Sequence, residues 1–280
     1  KAYPPRRARD RLGSRATGLV LGVVAAALGG AGCFGSASSH PAGDPSAMSR
    51  SEADMAADLW LRQGHPRQAL EHALEAAKLD EDNYEAAHLV ALIYLDFCRQ
   101  TPEDCRLEEA ERFARRALEI EPEFREAKNT LGVVLIHQKR YAEAIEVLRP
   151  LTQDILYQTP ENAWGNLGWA YLEDGQLEHA INALRRSVAA QPLFCVGNYR
   201  LGVAYERNGQ PRRAEEALTR ALETDDPRCR RLQVAYAARA RVRMELGKAD
   251  PAREDLDRCV EMAESTEAGK ECRSMLRKLK

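Results

Sequence analysis

Apolar residues along this chain fall at helical spacing in paired stretches, with a glycine or a short polar turn inside each pair. Between residues 161 and 194, Trp164, Leu167, Gly168 and Tyr171 recur three or four positions apart, which places them on one face of a helix. Gly175 follows, then Ala180 and Leu184 at the same spacing, and then Pro192, which cannot continue a helix. The pattern predicts two antiparallel helices turning at Gly175, with Gly168 and Ala180 kept small where the helices cross. The register returns with Leu201, Gly202, Tyr205, Gly209, Ala214, Leu218 and Ala221, and before it with Leu131, Gly132, Leu135, Ala144, Leu148 and Leu151. Earlier still come Val90, Ala91, Tyr94, Ala110, Ala114, Ala117 and Pro122, and first of all Ala56, Ala57, Trp60, Gly64, Ala69, Ala73 and Ala76. A weaker copy holds Tyr236, Ala240, Gly247, Ala252 and Leu256. One hairpin cannot bury such a stripe alone, so the hairpins must stack on one another.

This spacing is that of the tetratricopeptide repeat (TPR). The expected fold is all-α: a right-handed TPR superhelical solenoid of about six helix-turn-helix repeats and a C-terminal capping helix. The repeats are placed at about 50–83, 84–124, 125–160, 161–194, 195–228 and 229–265, with the cap at 266–280. Ser49 and Glu52 make an S-x-x-E capping box that is expected to start the first helix. Two repeats are irregular. Tyr94 and Ala110 lie sixteen residues apart, where Tyr171 and Ala180 lie nine apart, so "CRQTPEDCR" is expected to loop out. In the third repeat the second helix is expected to run on into "TQDILYQTPEN".

With 280 residues, 44% apolar and 30% charged, the chain can bury a substantial core. A net charge of −2 argues against nucleic-acid binding. The charge is unevenly placed: residues 1–32 carry Lys1, Arg6, Arg7, Arg9, Arg11 and Arg15 against the single acid Asp10. An apolar run, "ATGLVLGVVAAALGGAG", follows and ends directly before Cys33. Residues 1–32 therefore read as a lipoprotein signal peptide and Cys33 as the lipidated residue. The usual Leu three residues before such a cysteine is absent; Leu28 lies five before it. A membrane anchor and an ordinary cleaved signal are the alternatives. Phe34, rather than Asp, suits sorting to the outer membrane. Residues 33–48, rich in Ser, Gly, Pro and Ala, read as a flexible tether to a TPR domain at 49–280. The chain opens with Lys and its first Met is Met48. Synthesis from Met48 would give a cytosolic protein without the lipid.

Besides Cys33 there are six cysteines, an even number after an export signal, which suggests disulfides. Cys98 and Cys105 bracket the loop of the second repeat. Cys195 opens the fifth repeat and Cys229 precedes the sixth at the equivalent position. Cys259 faces the terminal helix that bears Cys272. These three pairs are expected, with buried free thiols as the alternative for the last two.

The chain has no phosphate-binding glycine loop, no nucleophile elbow and no zinc-binding helix motif, and its histidines form no ligand pair. No enzymatic activity, cofactor, metal or small-molecule substrate is expected. What remains is a protein-binding surface, the concave face that the first helices of a solenoid line. Candidate groove residues are Leu61, His88, Leu92, Leu95, Asn129, Val133, Ile136, Trp169, Tyr199, Val203 and Arg207. Trp169 stands out, because Trp often anchors interfaces.

The third and fourth repeats go beyond the general pattern. Leu156, Tyr157 and Pro160, followed by Ala163, Asn166, Leu167 and Gly168, resemble an element of the type IV pilus assembly lipoproteins of the PilF, PilW and Tgl family. The resemblance covers about residues 49–225, with Cys33 at the matching lipid site. The cysteine pairs and the 98–105 loop depart from it. The resemblance implies an outer-membrane lipoprotein on the periplasmic face, a pilotin that helps the secretin PilQ insert and multimerise, and hence a role in pilus assembly and motility. The alternative is a periplasmic TPR scaffold for another envelope complex.

Overall fold

The computed structural model describes residues 43–100, 102–224 and 226–279. The expected signal peptide, Cys33 and most of the tether lie outside the described residues. Among those described there are fourteen α-helices and no strand. They pair as hairpins in chain order: α1 (Pro45–Asp58) with α2 (Pro66–Leu79), α3 (Tyr84–Gln100) with α4 (Leu107–Ile120), and α5 (Arg125–His137) with α6 (Tyr141–Leu151). Next come α7 (Pro160–Glu173) with α8 (Leu177–Ala190), and α9 (Cys195–Arg207) with α10 (Pro211–Leu222). The short α11 (Pro227–Arg230) leads to α12 (Gln233–Glu245) with α13 (Ala249–Met262), and α14 (Glu267–Lys278) closes the stack. Six hairpins and a cap form the expected TPR solenoid. No helix among the described residues is long and apolar enough to cross a membrane.

Small side chains set the close approach inside each hairpin. Ala69, Ala73, Ala110, Ala114, Ala144, Ala180 and Ala214 have no exposed surface. A Cβ added at Gly168 would sit 2.6 Å from Leu184 Cγ, on a side chain that is itself fully buried. The glycine therefore lets α7 and α8 touch. Gly175 serves differently: its φ of 80° is left-handed, which only glycine adopts without strain.

First helices of successive repeats touch one another: α3 meets α5, α5 meets α7 and α7 meets α9. Second helices make no comparable contact among the described residues. The stack therefore curves with the first helices on its inner, concave side.

Several local features differ from the sequence expectation. The first helix begins at Pro45 rather than Ser49, because Asp44 accepts a hydrogen bond from Ser46 N at 3.2 Å and Pro45 suits the first turn. Ser49 is buried instead, and its hydroxyl donates to the Ala76 carbonyl at 2.7 Å. That first inner helix ends in a π-helical turn, Leu59–Gln63, with Gly64 left-handed after it. The 98–105 segment is only partly a loop, since α3 runs on to Gln100 and a 3-10 turn spans Pro102–Asp104.

The second helix of the third repeat does not run on. It stops at Leu151, one residue after Pro150, and the extra residues form a connector. Asp154 holds that connector, accepting from Arg125 Nε at 2.5 Å and from Leu156 N at 2.9 Å. Tyr157 is buried there, while Ile155 is 95% exposed.

The structure contains disulfides between Cys98 and Cys105, Cys195 and Cys229, and Cys259 and Cys272. The second of these hangs on α11, which Asp226 caps through Arg228 N at 2.8 Å. In the sixth repeat Asp255 is 3% exposed and lies between Arg239 at 2.7 Å and Arg243 at 2.9 Å. Three charged side chains thus cluster inside the sixth repeat.

Candidate functional site: the concave face

A polar ladder runs along the inner helices. Trp60 Nε1 donates to Asp96 Oδ2 at 3.0 Å, joining the first repeat to the second. His88 Nε2 lies 2.9 Å from Thr130 Oγ1, joining α3 to α5. Asn166 Nδ2 donates to Asn129 Oδ1 at 2.9 Å, and Arg200 Nη1 donates to Asn166 Oδ1 at 2.9 Å and to the Gly165 carbonyl at 3.2 Å. Arg207 reaches back to the Leu172 carbonyl at 3.2 Å and to Glu173 at 3.4 Å. Arg241 pairs with Glu206 at 2.8 Å, joining α12 to α9. These bonds fix the spacing of the inner helices, and with it the width of the groove.

The expected groove residues do not all come together. Trp169, Tyr199, Val203 and Arg207 come together around one cavity of about 240 Å³, with Leu172, Glu173, Val196, Arg200 and Leu232 completing its walls. His88 and Asn129 belong to the ladder, and Leu92, Leu95 and Val133 are half-buried along the inner helices. Leu61 stands apart, 70% exposed on the π-helical turn. Ile136 is a correction: at 3% exposure it is part of the core around Leu135 and Leu148, not of the groove. Val203 at 9% is nearly as buried, and only its outer edge faces the cavity.

The centre of the site is an aromatic–cation stack. The Arg200 guanidinium lies over the Trp169 ring, 4.2 Å from its centroid, and the His137 ring meets the same indole edge-on at 5.2 Å. Burial pushes the Arg200 pKa down to about 10, which leaves it cationic at neutral pH. Burial first, and then the Arg200 charge, hold His137 below its ordinary value and so favour neutral imidazole. Burial pushes the Tyr199 hydroxyl up. Such a site offers an apolar floor, a flat aromatic wall and the Arg200 cation beside the Arg207–Glu173 pair. Among the described residues no group of His, Cys, Asp and Glu could hold a metal ion.

Arg200 and His137 were missed from the sequence, although a signal for Arg200 exists. Thr130, Asn166 and Arg200 each stand directly before a Leu-Gly pair, so a cation replaces a neutral polar residue at an equivalent place.

The fold and groove define a class, a helical-hairpin solenoid with a continuous inner face. Models of the tetratricopeptide repeat match residues 104–155, 161–192 and 199–258, and the chain belongs to that family. No curated protein matches it in sequence. It is similar in structure to PilW, a widely conserved type IV pilus biogenesis factor, at 24% identity and a TM-score of 0.66, over 79% of this chain and 96% of PilW. Pseudomonas aeruginosa PilF is similar at 17% identity and a TM-score of 0.62, over 82% of this chain and 99% of PilF. A tetratricopeptide repeat protein from Parabacteroides merdae is similar at 16% identity and a TM-score of 0.65, over 82% and 84%. At these identities the likeness is one of fold.

Proposed function

We propose that this chain is a pilotin: an outer-membrane lipoprotein, facing the periplasm and anchored through Cys33, that binds the secretin of a type IV pilus and promotes its insertion and multimerisation. The observation that carries this reading is the extent of the structural likeness, which takes in 96% of PilW and 99% of PilF. The connector adds to it. Leu156 and Tyr157, which with Pro160 resemble the family's element, lie in the link between α6 and α7, and Pro160 opens α7; Tyr157 is buried and Asp154 is tied to Arg125. The physical logic is passive. An acyl chain holds the solenoid at the membrane, a tether lets it search, and the groove receives an unassembled secretin subunit. No bond is made or broken.

Deletion of the gene tests this directly. Secretin multimers in the outer membrane should fall away while the monomer persists, and the secretin should co-purify with the lipidated protein. Replacing Cys33 with Ala should abolish palmitate labelling and reproduce the assembly defect. Unchanged multimers in the deletion strain would assign the chain to some other envelope scaffold.

A further inference from the structure

Arg200 differs from the other groove arginines. Arg207 pairs with Glu173 at 3.4 Å, and Arg241 pairs with Glu206 at 2.8 Å and Glu271 at 2.7 Å. Arg200 makes no ion pair among the described residues. Its two hydrogen bonds go to neutral oxygens and both leave from Nη1. Nε and Nη2, the remaining edge of the guanidinium fork, donate to nothing among the described residues. That edge has the geometry that takes a carboxylate in two parallel bonds. The cation is also half-buried, pressed on Trp169 and beside the apolar surface of Leu172, Val196 and Val203. Glu173 lines the same cavity and acts on Arg200 through space, but its direct pairing is with Arg207, so an incoming anion can still bond the free edge of Arg200 and offset the cost of burying its charge.

We propose that this cavity is a specificity pocket for an extended acidic peptide segment, whose Asp or Glu carboxylate docks on the free edge of Arg200 while a neighbouring apolar or aromatic side chain fills the floor beside Val196 and Leu232. This rests on the reading that the inner face holds the partner, and it adds the chemistry of the segment recognised. Burial lowers the Arg200 pKa to about 10, while Tyr199 and Glu173 act the other way without bonding the guanidinium.

The test is selection of a displayed random dodecapeptide library on the full chain, followed by titration of the winning peptides by fluorescence anisotropy. Enriched sequences should pair Asp or Glu with an adjacent large apolar residue. Exchanging that acid for its amide should weaken binding about tenfold or more on the wild type and hardly at all on Arg200→Gln, with Arg200→Lys intermediate. Thermal melts establish that each variant is folded. Winners without acids, or an equal penalty on wild type and Arg200→Gln, would overturn the proposal. So would a failure to enrich any peptide while secretin capture persists. Winners indifferent to Arg200→Gln and also to Trp169→Ala would place binding off the groove, and the proposal would fall together with the inner-face reading.

Discussion

At the scale of single residues, chemistry here follows from where a side chain sits on the inner helices. His88 is the clearest case. Packed edge-on against Phe124 at 4.9 Å and bonded to Thr130, it is pushed by burial down to about 4, with the Glu126 backbone pulling weakly the other way. An unfolded histidine titrates near 6.5. Above that pH both states are neutral and His88 carries no pH-dependent term. Between 6.5 and 4 the unfolded chain takes a proton that the folded chain refuses, so stability falls as the pH falls, by about 3 kcal/mol at pH 4. Urea titrations at pH 7 and pH 4 should therefore show the wild type losing about 3 kcal/mol more than His88→Gln. Equal losses would mean that His88 takes up its proton in the folded state as readily as in the unfolded one. The sequence placed His88 in the groove by its register alone. Register could not reveal that it would bond Thr130, because that contact crosses from one repeat to the next. Arg200 went unnoticed while its neighbour Tyr199 did not, although its place before a Leu-Gly pair marked it.

At the scale of elements, the hairpins were legible because their cause is local: small residues at the crossing, glycine at the turn, proline at the stop. What was not legible depended on distant acceptors. Ser49 has the better capping pattern, yet its hydroxyl is drawn inward to the Ala76 carbonyl, and Asp44 caps instead. The third repeat's second helix is a different case: Pro150 is a local stop signal in the sequence, and the expected run-on overlooked it. The three disulfides allow a quantitative statement, since a cross-link stabilises chiefly by restricting the unfolded chain, and longer loops gain more. Cys195 and Cys229 are 34 residues apart, against 7 for Cys98 and Cys105. Removing the first pair by double alanine substitution should cost about 4 kcal/mol and removing the second about 2 kcal/mol. Chemical denaturation of the two double variants checks the order, and the reverse order would mean that the loops are already restricted in the unfolded chain.

At the scale of the whole molecule, a stack in which each hairpin meets only its neighbours should have stability that varies along its length. The buried core reflects this. One cluster spans the middle repeats through Leu135, Leu148, Leu167, Leu184 and Leu201, while a separate one at the C-terminal end joins Ala237, Ala240, Leu256 and Cys259 to Cys272 and Met275 of α14. The cap supplies the outer wall of that second cluster, and a cross-link to α13. A chain ending after Ser265 loses both. Loss of the cross-link alone removes about 3 kcal/mol from the last repeat, and apolar surface of α12 and α13 becomes open to water. Hydrogen exchange should then accelerate sharply in α12 and α13, weakly in α9 and α10, and not at all in α5 and α6. The polar ladder sharpens this expectation: Arg241 ties α12 to α9 through Glu206, and among the described residues no bond of the ladder reaches further in one step. A gradient that dies within one repeat would leave the proposed pocket between α7 and α9 intact in the truncated chain. A uniform rise in exchange over every helix would instead mean that the six hairpins unfold as one unit, and that the groove is no more stable than the end of the stack.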